Sequence, residues 1–288
     1  MWKEHTIELG PGRSLFAIQA GQGPDLVLVH GALTTSHDWR HSPVADLTDQ
    51  FRISIVDRPG HGLSRRPRFT GTPRDQARQM AEGLARLGVD RPVIAAHSFG
   101  ALVTLALAEQ MPDSVAAMVL VAPLAFPEPR VLEHLLIAPR ATAVAGPLFS
   151  HFSGRAMLDR TLLPMIQKLM FSPAPVPARW SETYPTDLIL SPESTVLEGE
   201  DSAAMLPFSP AGTIPMMGIR TPTRIVTGTA DKVVEDERQA KALGRLLPNG
   251  EVTELKGAGH MLHHTHADEV AKAIRGVFAA REPASSRN

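Results

Sequence analysis

A series of short runs rich in apolar and β-branched residues restricts the fold of this chain more than any other feature of its sequence. The runs are DLVLVH (25–30), RISIV (52–56), PVIAAH (92–97), AMVLVA (117–122), TRIVT (223–227) and EVTEL (251–255). The first four are nearly continuous, which is typical of parallel strands buried on both faces, and the last two continue the series. The sequence therefore predicts a mostly parallel sheet.

Helix-forming segments separate several of these runs, and they lie at 72–88, 101–111, 237–247 and from Thr265 onward. Thr72 and Pro73 supply a cap and a first-turn proline, whereas Thr265 is the predicted N-cap of the last helix. Two β-rich segments on either side of Gly10-Pro11-Gly12 predict a hairpin at the edge of the sheet. Strands that alternate with helices predict an α/β fold in which helices flank the sheet on both faces.

The segment from Pro123 to Pro222 interrupts this alternation, because it holds 15 of the 25 prolines together with many Leu, Met and Phe residues. This composition favours short helices bounded by proline over strands. We interpret the segment as an insertion over the carboxyl edge of the sheet; the alternative is an ordinary run of crossover helices. The polar tail, residues 281–288, is predicted to be disordered.

Charge and cysteine content exclude several classes of function. The net charge is −1 and Lys and Arg are scattered, which argues against nucleic-acid binding and against attachment to acidic membranes. Arg65, Arg66 and Arg68 are interpreted as a solvated turn. The absence of cysteine excludes disulfides, thiolate metal sites and cysteine nucleophiles. No run resembles a signal peptide or reaches membrane-spanning length, so we expect a soluble, cytoplasmic protein without membrane insertion.

Ser98 lies where the apolar run PVIAAH ends and a helix begins, in the segment AHSFGA. A serine on a sharp turn between strand and helix projects its hydroxyl above the sheet, beside the positive end of the helix. Such a turn requires small residues two positions before and after the serine, and Ala96 and Gly100 satisfy this requirement. Ser98 is therefore the predicted nucleophile, although a serine at this place can also serve only as a turn or cap residue.

A serine hydroxyl needs a base that accepts its proton. Among twelve histidines, His260 is favoured because the run EVTEL leads through a glycine-rich loop to it, at the sheet edge where Ser98 is expected. His263, His264 and His266 follow close behind and are interpreted as cap or surface groups.

The imidazole in turn needs a carboxylate that fixes its tautomer. Asp231 follows the run TRIVT after a Gly-Thr-Ala turn and is the preferred candidate. The rival is Glu128, which follows the run AMVLVA. An aspartate in a turn can also bond only to its own backbone, which is the structural alternative for Asp231.

Two backbone N–H groups are predicted to stabilise an oxyanion beside Ser98. One is the Phe99 N–H, and the other is the Ala32 N–H in the loop that follows the run DLVLVH. His30 is interpreted as a structural residue that supports this loop, and Gly31 as the residue that permits its turn.

The segments HGALTTSHDW, DRPGHGLS, AHSFGA, GTADKVV and GAGHML occur in this order and resemble the α/β-hydrolase superfamily over nearly the whole chain. The resemblance implies an eight-stranded, mostly parallel sheet with a helical cap between the sixth strand and the strand of the acid. The insertion falls there, so residues 1–123 and 222–280 are assigned to the core and 124–221 to the cap. DRPGHGLS matches a structural loop of the family, which makes Asp57, His61 and Ser64 poor candidates for catalysis. Ala96 departs from the family's usual glycine.

A serine nucleophile argues against the haloalkane dehalogenases and epoxide hydrolases of this fold, whose nucleophile is an aspartate. Tyr184 is the only tyrosine, so the paired cap tyrosines of those epoxide hydrolases are absent. The leading hypothesis is a serine esterase for a small to medium apolar ester, a small-molecule substrate that it cleaves through an acyl-enzyme on Ser98 without metal or cofactor. Apolar cap residues would shape the pocket, among them Leu132, Leu135, Leu136, Phe149, Phe152, Leu162, Met165, Met170 and Phe171.

Three alternatives stay open from the sequence. A cofactor-free haloperoxidase or perhydrolase and a carbon–carbon bond hydrolase could use the same Ser98, Asp231 and His260. A ligand-binding protein that kept the fold is a third alternative, although a pure binder has no need of all three residues. The sequence predicts no oligomeric state.

Overall fold

The computed structural model describes residues 1–128, 137–155, 158–207 and 209–280. Within these residues a single eight-stranded sheet has the order β1-β2-β4-β3-β5-β6-β7-β8. Strands β3 to β8 pair in parallel, while β1 and β2 form an antiparallel hairpin and β2 also runs antiparallel to β4. The strands are β1 Lys3–Gly10, β2 Arg13–Ala20, β3 Asp25–Val29, β4 Arg52–Val56, β5 Val93–His97, β6 Ala117–Val121, β7 Thr223–Gly228 and β8 Gly250–Leu255. The predicted mostly parallel sheet and its edge hairpin are confirmed.

Helices cover both faces of the sheet, and further helices lie between β6 and β7. In the described part of the chain the α-helices are α1 Ser36–Arg40, α2 Pro73–Arg86, α3 Phe99–Gln110, α4 Ala145–Arg155, α5 Leu158–Phe171, α6 Ala178–Thr183, α7 Thr186–Ile189, α8 Pro192–Ala204, α9 Ala242–Leu246, α10 Leu262–Thr265 and α11 Ala267–Ala279. Short 3₁₀ helices lie at Pro43–Asp49, Pro112–Ser114, Ala138–Ala141 and Met216–Gly218, and a π-helical turn at Glu237–Lys241 precedes α9.

The core consists of two apolar layers, one on each face of the sheet. Alternate residues of β3 supply them, because successive side chains of a strand point to opposite faces. Val27 and Val29 pack in the layer that includes α2 and α3. Leu26 and Leu28 pack in the other layer with α1, α10 and α11. Burial on both faces explains why the strand runs lack polar alternation.

The sequence predicts the N-caps of two helices, and the structure confirms only the first of them. The Thr72 hydroxyl accepts the Asp75 N–H and caps α2, as predicted. The prediction for Thr265 was wrong, because α11 begins at Ala267 with His266 in the N-cap position. The Thr265 hydroxyl donates instead to the Met261 carbonyl at 3.2 Å, since the chain first completes the short helix α10.

The helices between β6 and β7, which are called the insertion below, contact residues that follow β3 at the carboxyl edge of the sheet. Trp180 donates from Nε1 to Asp38 at 3.1 Å, and the Tyr184 hydroxyl donates to the Leu33 carbonyl. An apolar cluster joins the insertion to Met261, and its members are Leu163, Met170, Phe171, Trp180, Tyr184 and Ile189. The division at residues 124 and 221 stays a prediction, and the predicted tail 281–288 lies outside the described residues.

None of the helices described here combines the length and the apolar character that crossing a bilayer requires.

Candidate active site

Ser98 occupies the strained turn that the sequence predicts between β5 and α3. Its φ of 51° and ψ of −120° are rare for a residue with a side chain, and such conformations concentrate at functional sites. Close packing enforces the turn, because a Cβ on Gly100 would lie 2.4 Å from the His30 carbonyl oxygen. A Cβ on Gly31 would lie 3.0 Å from the Ser98 Cβ, which places the loop after β3 directly against Ser98.

The structure joins His260 to Asp231 directly. His260 Nδ1 lies 2.7 Å from Asp231 Oδ2, and each of the two side chains is only 2% exposed. The other oxygen, Oδ1, accepts the backbone N–H groups of Val233 at 2.7 Å and Val234 at 2.9 Å. A carboxylate only accepts hydrogen bonds, so Nδ1 is the donor of this pair, and in a neutral imidazole Nε2 then has the lone pair that a base needs.

Ser98 follows His97, and His97 contacts the pair formed by His260 and Asp231. His97 Nε2 donates to the His260 carbonyl at 3.2 Å, and the two imidazole rings lie 4.6 Å apart. In the described chain the Ser98 hydroxyl forms no hydrogen bond with His260, so only two of the three predicted groups are joined directly. Hydrogen bonds of this kind commonly tighten only when substrate binds. Strands β5, β7 and β8 run parallel, with β6 between β5 and β7, so the three residues that follow them lie at the same edge of the sheet.

The two predicted oxyanion donors are Phe99, which follows Ser98 directly, and Ala32, which follows Gly31 in the loop packed against Ser98. Phe99 is the first residue of α3, so its N–H has no acceptor within the helix. Ala32 follows Gly31 in the loop packed against Ser98, and its N–H makes no hydrogen bond within the described residues. Two backbone N–H groups near one serine, if both face its hydroxyl, would suit the stabilisation of a tetrahedral oxyanion.

His30 supports the loop after β3, in agreement with its predicted structural role. Its Nδ1 donates to the Gly31 carbonyl at 2.8 Å and its Nε2 accepts the Arg58 N–H at 2.9 Å. Burial, together with the charge of Arg58, lowers the pKa of His30 well below its usual value. The ring is therefore neutral, and its two hydrogen bonds connect the loop after β3 to the loop after β4.

The DRPGHGLS loop is also held by its own polar residues. Asp57 accepts the N–H groups of Ser36 at 2.5 Å and Leu63 at 2.8 Å, and Ser64 donates to the Asp57 carbonyl at 2.7 Å. Burial raises the pKa of Asp57 above its usual value. These contacts account for Asp57 and Ser64 without a part in chemistry.

Within the described residues, Glu128 forms no hydrogen bond or ion pair with the imidazole of His260. One oxygen of Glu128 accepts from Gln239 Nε2 at 2.8 Å. His260 Nδ1 has Asp231 as its partner, so the geometry favours Asp231 over its rival.

The interpretation of His263 and His264 as cap or surface groups was wrong. Both side chains are buried and donate from Nε2 to the two oxygens of Asp38, at 2.9 Å and 2.8 Å. Burial raises the pKa of Asp38, but the contacts with His263 and His264 outweigh burial and hold that pKa well below its usual value. The sequence gives no signal for this cluster, because more than two hundred residues separate Asp38 from the histidines.

The interpretation of the arginine cluster as a solvated turn was also wrong in part. Arg66 is buried and donates from Nη1 to Glu200 on α8 at 2.5 Å, and Arg68 Nε lies 3.2 Å from the same carboxylate. Glu198 and Asp201, on the same helix, reach the loops after β3 and β4. Sequence reasoning missed these three acids, since α8 lies in a segment without a recognisable motif.

Among the residues that the structure describes, two clusters have their ligand atoms close enough to bind a metal ion. One consists of Asp38, His97 and His263, and the other of His61, Glu198 and Asp201. Within the first, Asp38 already accepts from two histidines, and within the second, Asp201 pairs with Arg58 at 2.6 Å. Within the described residues, hydrogen bonds and ion pairs of the chain therefore engage the carboxylates of both clusters.

The predicted apolar cap residues divide into two groups. Met170 and Phe171 are buried, in the cluster that packs against Met261, next to His260. Four others face solvent, namely Phe149, Phe152, Leu162 and Met165. That these four residues shape a substrate pocket stays a prediction. Leu132, Leu135 and Leu136 lie outside the described residues.

Comparison with known proteins identifies the family and a range of relatives. The family model described as "Alpha/beta hydrolase family" matches residues 26–273. The magnesium-chelatase 30 kDa subunit of Rhodobacter capsulatus is 28% identical over 88% of this chain and 86% of its own length. A pimeloyl-[acyl-carrier protein] methyl ester esterase of Nitrosomonas europaea is 39% identical, over 35% of this chain and 38% of the relative.

A solved structure shows the same fold at low sequence identity. The epoxide hydrolase CorEH superimposes with a TM-score of 0.79 at 19% identity, covering 98% of this chain and all of the other. At this identity the likeness establishes the fold, whereas the chemistry depends on the residues at the sheet edge.

Proposed function

The chain belongs to the alpha/beta hydrolase family, and from this premise we propose that it is a serine hydrolase that cleaves a small to medium, apolar carboxylic ester. The acyl group passes transiently to Ser98. One observation carries the proposal: a buried imidazole, oriented by a carboxylate at 2.7 Å, lies against the residue next to a strained serine. A serine that served only as a turn residue would require neither the imidazole nor the carboxylate.

The reaction proceeds in two half-reactions. His260 Nε2 takes the proton of Ser98, whose oxygen attacks the ester carbonyl, while the Ala32 and Phe99 N–H groups stabilise the oxyanion. The tetrahedral intermediate collapses as His260 returns the proton to the leaving alcohol. Water, activated by the same imidazole, then attacks the acyl-enzyme and releases the acid. Asp231 keeps Nδ1 protonated throughout and stabilises the imidazolium.

The identity of the nucleophile supports ester chemistry over the activities of some similar proteins. Epoxide hydrolases of this fold use an aspartate at the elbow, whereas this chain has Ser98 there. Ester cleavage is also the activity named for the esterase of Nitrosomonas europaea, which matches part of this chain. The buried apolar cluster beside Met261 suits an apolar acyl or alcohol group.

Turnover of short p-nitrophenyl esters tests the proposal, with Ser98→Ala as the matched variant. We expect activity in the wild type and a loss of about 10³-fold or more in the variant, because the residual rate comes only from binding and the oxyanion hole. A fluorophosphonate probe should label the wild type and not the variant. Equal turnover in both proteins would remove Ser98 from its role.

The alternative reactions would use the same catalytic residues, so assays with different substrates are needed to distinguish them. Assays with a diketone, and with peroxide plus acetate, run in parallel with the esters. A higher kcat/KM for either of these than for any ester would replace the ester proposal with carbon–carbon bond hydrolysis or perhydrolysis. A folded wild type that neither turns over these substrates nor reacts with the probe would favour a ligand-binding protein.

A further inference from the structure

The direction of the Ala32 N–H depends on the carbonyl of the residue before it. The Gly31 carbonyl and the Ala32 N–H belong to one trans peptide group, in which they point in opposite directions. The Gly31 oxygen accepts from His30 Nδ1 at 2.8 Å and from Arg58 Nη2 at 3.2 Å. Whatever holds Arg58 therefore also constrains the Ala32 N–H.

Arg58 is held by an acid of the insertion. The guanidinium is fully buried, and its Nη1 donates to Asp201 Oδ2 at 2.6 Å and to Gln76 Oε1 at 2.9 Å. A buried guanidinium requires such a counter-ion, because an uncompensated buried charge is strongly destabilising. The guanidinium carbon also lies 4.7 Å from the centre of the Phe99 ring. Asp201 thus holds a side chain that contacts the Gly31 carbonyl and the Phe99 ring, and these two residues adjoin or carry the proposed oxyanion donors.

A second acid of the same helix holds the next peptide group. Glu198 Oε1 accepts the Leu33 N–H at 2.8 Å, and the Tyr184 hydroxyl donates to the Leu33 carbonyl. Leu33 has a φ of 53°, a left-handed conformation that is unfavourable for leucine and persists only where its surroundings impose it. Side chains of the insertion therefore bind both backbone polar groups of a strained residue, directly after Ala32.

Glu198 and Asp201 are three residues apart, so they lie on one face of α8. His61 is buried between them, with Nδ1 3.3 Å from Glu198 and Nε2 3.0 Å from Asp201. Burial and the charge of Arg58 lower the pKa of His61, but Asp201 and Glu198 outweigh both and raise it above its usual value. The side chains of Glu198, Asp201, Arg58 and His61 thus form one buried cluster next to the loop that follows β3.

We propose that Glu198 and Asp201 are positioning residues for the oxyanion site, and that through Leu33 and Arg58 they orient the Ala32 N–H toward Ser98. The inference rests on the proposed function and extends it: a helix of the insertion determines how strongly the core stabilises the transition state. Neither acid contacts the reacting atoms.

Three variants of α8 test this role. Glu198→Ala removes the acceptor of the Leu33 N–H, whereas Glu198→Gln retains an oxygen that can accept it. Glu200→Ala is the matched control, because Glu200 lies on the same helix and binds Arg66, Arg68 and the Phe69 N–H, but not the loop from Gly31 to Leu33. Glu198 and Glu200 each accept one backbone N–H from the core. If the substitutions acted only by weakening the packing of α8 on the core, both alanine variants would therefore lose activity.

Kinetics on a p-nitrophenyl ester provide the first measurement. We expect Glu198→Ala to lower kcat about 10- to 100-fold and leave KM within about twofold, since oxyanion contacts act mainly in the transition state. Affinity for an alkyl trifluoromethyl ketone, which forms a hemiketal oxyanion on Ser98, should fall by a similar factor. Glu198→Gln should recover most of kcat, and Glu200→Ala should keep it. Unchanged kcat in folded Glu198→Ala, or equal losses in both alanine variants, would overturn the inference.

Hydrogen exchange measured by mass spectrometry provides a readout independent of activity. Exchange in the peptide that contains residues 31–33 should accelerate in Glu198→Ala and stay unchanged in Glu200→Ala. Equal exchange in Glu198→Ala and the wild type overturns the positioning role whether or not the protein is an esterase. A wild type that hydrolyses no ester refutes the proposed function instead, while faster exchange confined to Glu198→Ala would still support control of the loop by α8.

Discussion

The two oxygens of Asp231 have separate partners, and this division determines what the residue can do. Oδ1 accepts two backbone N–H groups of its own turn, and Oδ2 faces His260. The local bonds hold the carboxylate in one orientation, so Oδ2 is available for the imidazole at little further entropic cost. The alternative reading of Asp231, as a turn residue, is therefore correct for one oxygen.

Asp231→Asn tests the role of the second oxygen. An amide that keeps the turn can present its NH₂ to His260, which favours the wrong imidazole tautomer and removes the counter-charge of the imidazolium. We expect ester turnover to fall about 10³- to 10⁴-fold while the protein remains folded, as judged by circular dichroism. Glu128→Gln serves as the control and should keep its activity. A similar loss in both variants would argue against Asp231 as the partner of the base.

At the scale of elements, the approach of α3 to β3 determines the geometry of the serine turn. Gly100 is in the first turn of α3, where its Cα faces the carbonyls of His30 and Val29. No side chain fits at this distance, so the helix begins against the strand only because residue 100 is glycine. The same contact presses Ser98 toward the loop after β3.

Gly100→Ala is expected to destabilise the fold by about 1–3 kcal/mol, because the new Cβ overlaps a backbone oxygen that cannot rotate away. Gly276→Ala is the matched control within helix α11, where a Cβ would meet no atom within 4 Å. That substitution should stabilise the fold by about 0.5–1 kcal/mol, since alanine favours a helix interior. Urea unfolding measures both changes. A Gly100→Ala protein as stable as the wild type would show that α3 can shift away from β3.

At the scale of the molecule, buried histidines join segments that are distant in sequence. His263 on α10 binds Asp38 on α1, and Trp180 of the insertion binds the same carboxylate. Burial, opposed by Asp38 and reinforced by His264, lowers the pKa of His263 to about 4. Burial likewise lowers the pKa of His97 well below its usual value. These rings are thus neutral in the folded protein at neutral pH.

This burial predicts a loss of stability in mild acid. Between pH 6.5 and about 4 the unfolded chain protonates His263 while the folded protein does not, so unfolding takes up protons and the free energy of unfolding falls as pH falls. His263→Gln, which keeps a donor for Asp38, should reduce the slope in this range. His151→Gln, at an exposed position, should retain the wild-type slope. Urea titrations at several pH values measure the slopes, and an unchanged slope in His263→Gln would contradict the assignment.

The sequence by itself determined the parallel sheet and the order of strands and helices along the chain. It also determined that Ser98, Asp231 and His260 each follow the end of a strand. Those features depend on apolar runs, glycine and proline, whose effects are local and can be read along the chain. The positions of α3 and the hairpin follow for the same reason. The N-cap of the last helix, α11, was misplaced by one residue, because Thr265 completes the short helix α10 instead.

Only the tertiary structure decided which polar groups become partners. Asp38 meets His263 and His264, and Glu198 meets the Leu33 N–H, across separations of 225, 226 and 165 residues. In a sequence, each of these side chains is indistinguishable from a solvated one, as Arg66 illustrates. A buried charge is stable only beside a counter-charge or donor, and folding alone determines which one it meets.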